Sequence, residues 1–295
     1  MKPCTALCAA LLLVPSLARP QPTWQAAPGR PAALDLLHEV MTPNFPTSTT
    51  LASGDFHFEI SHRFHPPLEE GYDANFGLDG PVNMRIALGY GVSDRLLVTL
   101  GRSNLQDNLD LQVRYRLLDL PHPVFPGALG VQAGVAWNTQ EARWSRGDSV
   151  VVRKRLDADN FQYYAQLIGN VLLLDGRLGI GVVPSYLYNS TTFSVDRQYT
   201  CSLGNYYRYY FNDMWGAWLE YNPVVSGWQG SIENGVTARS HDSLALGLSI
   251  ETGGHFFYLF TTNNTRLNPS QYLVGADADA SPDNWRLAFG ITRHL

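Results

Sequence analysis

From Gly54 onward the chain alternates apolar and polar residues. Leu109, Leu111, Val113, Tyr115 and Leu117 alternate with Asp110, Gln112, Arg114 and Arg116. Phe56, Phe58, Ile60 and Phe64 alternate with His57, Glu59, Ser61 and Arg63, and Val82, Met84, Ile86, Leu88 and Tyr90 with Asn83, Arg85, Ala87 and Gly89. A period of two puts the two sets on opposite faces of an extended strand. Later segments repeat the pattern, and the stretch 199–211 is aromatic on both faces, which leaves its register open. In the last segment Trp285, Leu287, Phe289, Ile291 and Leu295 share one face, broken only by Arg293. About twelve segments result, each near the nine to eleven residues a tilted strand needs to cross a bilayer.

The connections follow a second rule. Short turns at Gly91–Asp94, Leu174-Asp175-Gly176, Asn212-Asp213 and Thr252-Gly253-Gly254 have Gly and Asp turn chemistry. They alternate with longer polar connections at 65–81, 141–159, 189–198, 223–241 and 262–283. Two connections depart from this, a long Pro-rich turn at 119–127 and a short loop at 103–108. An open sheet edge cannot sit in lipid, whereas a closed barrel leaves no backbone group unpaired. The expected fold is all-β: a closed antiparallel transmembrane β-barrel of about 12 strands over residues 54–295, with short periplasmic turns and longer extracellular loops. The outer girdle is expected to include Trp137, Phe161, Tyr186, Tyr188, Tyr221, Phe260 and Trp285, and the inner one Phe56, Tyr90, Tyr115, Trp215 and Phe256.

Composition sharpens this. A formal net charge of −5 without a basic stripe excludes a nucleic-acid partner. A mean hydropathy of −0.14 fits strands that are apolar at every second position. Residues 1–18 read as a signal peptide, with Lys2, an apolar run Ala6–Val14 and a small-x-small site at Ser16–Ala18. Together with the barrel pattern, this makes the bacterial outer membrane the expected location. Cys4 and Cys8 fall within the signal, leaving Cys201 alone. Residues 19–53 read as a periplasmic lead-in with one amphipathic patch at Leu36, Leu37 and Val40. No later run of eighteen apolar residues offers a transmembrane helix.

Three stretches carry a resemblance. They are Thr42-Pro43 through Phe56-His57-Phe58-Glu59-Ile60-Ser61-His62-Arg63-Phe64, Phe76-Gly77-Leu78-Asp79-Gly80-Pro81-Val82-Asn83-Met84-Arg85, and Tyr90-Gly91-Val92-Ser93-Asp94-Arg95-Leu96 through Gly101-Arg102-Ser103. With these the chain resembles the bacterial domain-of-unknown-function family 5777 of expected outer-membrane β-barrels. The resemblance implies a barrel and its membrane, and no activity.

Candidate chemistry concentrates on the polar faces. Glu59, Arg63, Arg85, Asp110, Arg114 and Arg116 are expected to line the lumen. They form either a salt-bridged filling or a polar pore whose excess arginine selects anions. Strand parity also points His57, His255 and His294 inward at the periplasmic end, where a metal site, a haem site or a pH-sensitive latch is weighed against three unrelated histidines. Asp79 belongs to a ligand site or, the favoured reading, fixes a turn in a loop folded back into the barrel. His62 and His65, three apart, fall on opposite faces of a strand. No Gly-x-Ser-x-Gly nucleophile motif occurs, so no catalytic residue, metal ligand set or cofactor is assigned. The expected partners are outer-membrane lipid, the barrel-assembly machinery and a small polar solute, for which the arginine excess points to an anionic one. A porin-like channel or binding barrel leads, with a lipid-modifying enzyme and a barrel of occluded lumen as alternatives.

Overall fold

The computed structural model describes residues 36–146, 149–194, 196–232 and 238–295. The expected signal peptide and the first part of the expected lead-in lie outside them. Fifteen strands follow in chain order: β1 (Phe56–Pro67), β2 (Val82–Ser93), β3 (Leu96–Ser103), β4 (Asn108–Leu120), β5 (Gly127–Asn138), β6 (Ala142–Arg146), β7 (Ser149–Arg153), β8 (Phe161–Leu173), β9 (Leu178–Tyr188), β10 (Tyr199–Tyr210), β11 (Trp215–Asn222), β12 (Val224–Gly227), β13 (Ser243–Thr252), β14 (His255–Thr262) and β15 (Arg286–His294). Twelve of them close an antiparallel barrel. β15 returns to β1 through the ladder from His57↔His294 to Arg63↔Ala288. At the seam Phe56 N donates to Leu295 O at 3.1 Å and Leu295 N to Phe56 O at 2.8 Å.

The two faces separate as the alternation requires. On β2, Asn83, Arg85 and Ala87 are buried inside while Ile86 and Leu88, 42% and 48% exposed in the isolated chain, face outward to lipid. The open register of 199–211 resolves with Thr200, Ser202, Tyr206, Arg208 and Tyr210 inward and Tyr199, Leu203, Tyr207 and Tyr209 outward. The tight turns and both barrel termini share one end, here the turn end; the longer connections share the other, the loop end. At the β13–β14 turn, Gly253 (φ 55°) and Gly254 (φ 92°) adopt the left-handed pair of a type I′ hairpin.

Three elements depart from the sequence pattern. The connection expected at 141–159 contains the hairpin β6–β7. Pro223 breaks one strand into β11 and β12 because it lacks the N–H that the ladder needs. β12 then pairs only with β10, with a register shift between Cys201 and Ser202. On β14 the aromatic phases are reversed. Phe256, Tyr258 and Phe260, two of them expected in the girdles, point inward around Trp218. Their rings fill the lumen wall there: Phe260 lies 5.0 Å from the Trp218 ring, and the Arg63 guanidinium sits 4.5 Å above Phe260.

Candidate functional site

Residues 36–53, read from the sequence as part of a lead-in before the barrel, lie inside it as a plug. Leu36, Leu37, Val40, Phe45 and Leu51 are almost fully buried, as are Glu39, Thr47 and Ser48. Thr42 and Phe45 close a small turn, with Thr42 N donating to Phe45 O at 2.9 Å and Phe45 N to Thr42 Oγ1 at 3.1 Å. The turn drives the Phe45 ring against the wall at Gly204, where a Cβ would lie 2.1 Å from the ring. Only glycine leaves that space. Gly181 and Gly134 receive Tyr206 and Tyr164 in the same way.

A second insert enters from the loop end. In residues 263–276, Asn268 caps a single helical turn, Pro269–Tyr272, by accepting from Gln271 N, with Pro at the first helical position. Tyr272, Leu273 and Val274 are buried. Tyr272 meets Phe45 of the plug edge-to-face at 5.4 Å, so the two inserts touch within the lumen. Asn268 donates to Asn108, and an amide ladder continues along the wall: Asn108 to Asn138 (2.7 Å), Asn138 to Gln162 (2.8 Å), Gln162 to the Asn189 carbonyl (2.8 Å). Each buried amide thereby finds the partner its burial demands.

The plug is fastened by charge. Glu39 pairs with Arg208 at 3.1 Å, and the Tyr210 hydroxyl reaches the same carboxylate at 3.4 Å. Asn44 donates to Glu220 at 2.5 Å and accepts from Arg63 at 3.1 Å. Arg114 donates to the carbonyls of Val40 and Thr49 and is held from behind by Gln132. Ser48 N donates to Asn170 at 2.7 Å, and the Tyr258 hydroxyl to Met41 O at 3.1 Å. Between plug and wall remains an internal cavity of about 30 Å³, lined by His57, Glu59, Arg85, Gln112 and Arg114 among others. That admits a water or two, not a solute.

His38 joins the plug to Glu251 at 2.6 Å, near the turn end. The hydrogen bond to Glu251 raises the imidazole pKa above its ordinary value, against an opposing desolvation. A raised pKa stabilises the docked plug fully below the ordinary imidazole range, and that contribution is lost as pH rises through the raised value. Amide exchange of residues 36–53, corrected for its intrinsic pH dependence, is therefore expected to quicken from pH 6 to pH 9. His38→Gln is expected to flatten the change; an equally steep profile in that variant refutes the assignment.

All six acidic and basic residues singled out in the sequence are buried inside the barrel. Arg85 lies between Asp110 and Glu59, 3.5 Å from the latter, while Arg63 and Arg114 hold the plug. Arg116 pairs with Asp119 near the turn end at 2.6 Å. Of the three histidines, His57 and His294 meet, with ring centroids 5.5 Å apart. His255 does not join them: with Phe256 and Tyr258 turned inward, parity sends it to the outer face, where it stacks on Phe257. The 65–81 loop, expected to fold back into the barrel, stays on the rim. Asp79 is exposed there, as is Tyr72 at 89%. Its place is taken by residues 263–276.

The sequence reading missed Glu39, Asn44, Asn170, Arg208, Glu220 and Tyr272. The signal for the plug was present, because the first stretch of the family resemblance begins at Thr42-Pro43, ahead of the first strand. No helix among the described residues is long and apolar enough to cross a membrane.

A family model described as a membrane bound beta barrel domain (DUF5777) matches residues 38–295, which takes in nearly all of the plug as well as the barrel. Among solved structures the chain is similar to the NanC porin, at 10% identity and a TM-score of 0.46, over 80% of this chain and 97% of that one. It is similar to OmpT of Vibrio cholerae (11% identity, TM-score 0.37, 84% and 100% covered) and to the Acinetobacter baumannii outer membrane protein Omp33 (9%, 0.37, 82% and 99%). No curated relative matches at the sequence level.

Proposed function

The chain belongs to the membrane-bound β-barrel family DUF5777, and on that premise we propose that it is an outer-membrane conduit for small polar, preferentially anionic solutes, held shut by its own N-terminal segment. The turn end is then periplasmic and the loop end extracellular. One observation carries the reading. Beside the apolar contacts of Leu36, Leu37 and Phe45, the plug is fastened to β1, β4, β8, β10, β11, β13 and β14 through charged, amide and hydroxyl groups. Such groups are re-solvated by water when a segment moves aside, so undocking is far less costly than opening an apolar core. Among the described barrel-strand residues buried inside, Arg63, Arg85, Arg114, Arg116 and Arg208 outnumber Glu59, Asp110 and Glu220. An emptied lumen of this charge prefers anions.

Liposomes carrying a barrel deleted of residues 19–53, with 264–275 replaced by a short Gly-Ser turn, are expected to take up small anionic solutes faster than cationic ones of equal size. Equal or cation-favouring uptake refutes the selectivity. A folded, relieved barrel that takes up neither points to the alternative of a structural barrel.

A further inference from the structure

His57 on β1 and His294 on β15 are Cα partners across the closing seam. Their neighbours Phe56 and Leu295 exchange both backbone hydrogen bonds. His57 and His294 therefore occupy the non-hydrogen-bonded position, where cross-strand side chains come closest. Their rings are inclined at 65° with centroids 5.5 Å apart. His57 is 2% exposed, and Nε2 of each ring is buried without a hydrogen-bond partner. Two buried ring nitrogens without partners, on residues that face each other across the seam, are each costly as they stand.

Two imidazoles bound to one metal through Nε2 at about 2.0–2.1 Å can have centroids up to about 6.5 Å apart. The observed separation lies inside that limit. Met41 of the plug lines the same internal cavity as His57, and its thioether is a soft neutral donor. We propose that His57, His294 and the Met41 thioether form a site for one copper(I) ion between the plug and the barrel seam.

The charge around the site selects the ion. All three donors are neutral, and the cavity wall adds Arg85 and Arg114 as well as Glu59. A divalent ion buried here with no anionic ligand carries a heavy desolvation penalty, and a monovalent one a smaller penalty. The Glu59 carboxylate in that wall is engaged by Arg85 at 3.5 Å and Ser61 at 3.1 Å, which leaves it a poor anchor for a hard divalent ion. Thioether with imidazole suits copper(I), which is content with two or three soft or borderline ligands. The bound ion would tie the plug to β1 and β15 together.

The test is anaerobic competition for copper(I) between the mature protein in detergent and a chromophoric chelator. One ion per chain is expected. His57→Phe, His294→Phe and Met41→Leu should each weaken binding by at least the roughly 10–100-fold that loss of a mere outer-shell partner costs a metal site. Heat-modifiable gel migration reports whether each variant is folded. X-ray absorption on the copper-loaded natural protein needs no variant: two nitrogen neighbours and one sulfur are expected. A natural protein that binds no better than the double histidine variant, a Met41→Leu protein that binds as the natural one does, or a copper shell without sulfur overturns the proposal.

Discussion

Arg85→Leu is expected to lower the stability of the folded barrel by about 3–5 kcal/mol, the range for breaking a buried ion pair from one side. Arg85 contacts two carboxylates at once. Its Nη2 donates to Asp110 Oδ2 at 3.1 Å and its Nε lies 3.5 Å from Glu59 Oε2. The guanidinium reaches them across Gly101, where any Cβ would collide with it. Without Arg85, the hydrogen bonds that remain come from neutral donors, Gln112 to Asp110 at 2.7 Å and Ser61 to Glu59 at 3.1 Å, with Arg63 and Arg114 acting on Glu59 only through space. Hydrogen bonds from neutral donors do not cancel two buried negative charges. Urea unfolding in detergent, followed by tryptophan fluorescence, reads the loss. Replacing Arg85, Asp110 and Glu59 together by leucine should restore most of it, because an apolar set of similar volume removes the stranded charges. A single variant as stable as the natural protein contradicts the account of this cluster.

The second large effect is on the plug alone. Glu39→Ala with Asn44→Ala removes the carboxylate partner of Arg208 and the side-chain amide donor of Glu220, which keeps only the weaker bond from the Asn44 N–H at 3.2 Å and the support of Thr42. Both wall groups are left short of partners in a filled lumen, which favours undocking, since water then reaches them. The loss is therefore expected as freer motion of residues 36–53 rather than as unfolding of the barrel. A change of about 3 kcal/mol corresponds to about 100-fold faster amide exchange in the plug. Exchange in the β4–β5 ladder should not change. Unaltered plug exchange in the double variant shows that the apolar contacts of Leu37 and Phe45 hold the segment by themselves.

The strands were legible because lipid on one side and a polar interior on the other force a strict period of two. β2 and β4 follow that rule residue by residue. Where the interior is filled by apolar side chains the rule loses its contrast. On β14, Phe256, Tyr258 and Phe260 face Trp218 inside while Phe257 and Leu259 face lipid, so both phases look alike and His255 was assigned to the wrong side. The closing pair His57↔His294 depends only on β1 and β15, whose faces differ clearly, and the two rings meet at the inner side of the seam. Apart from the resemblance that begins at Thr42, the inserts are not legible, for a different reason. Residues 36–53 and 263–276 have no periodicity; their burial depends on partners far away in the chain, such as Glu220 for Asn44 and Asn108 for Asn268. Composition alone marks both segments as polar connections. Charge on the inner face was visible in Arg63 and Arg114, yet not that these side chains grip a plug rather than line water.

Single-channel recording in planar bilayers tests the central claim most directly, comparing residues 19–295 with the same barrel relieved of residues 19–53 and 264–275. The intact chain is predicted to stay at the lipid background and the relieved barrel to conduct in steady steps. An intact chain that conducts as the relieved barrel does would contradict a lumen closed by its own plug and loop.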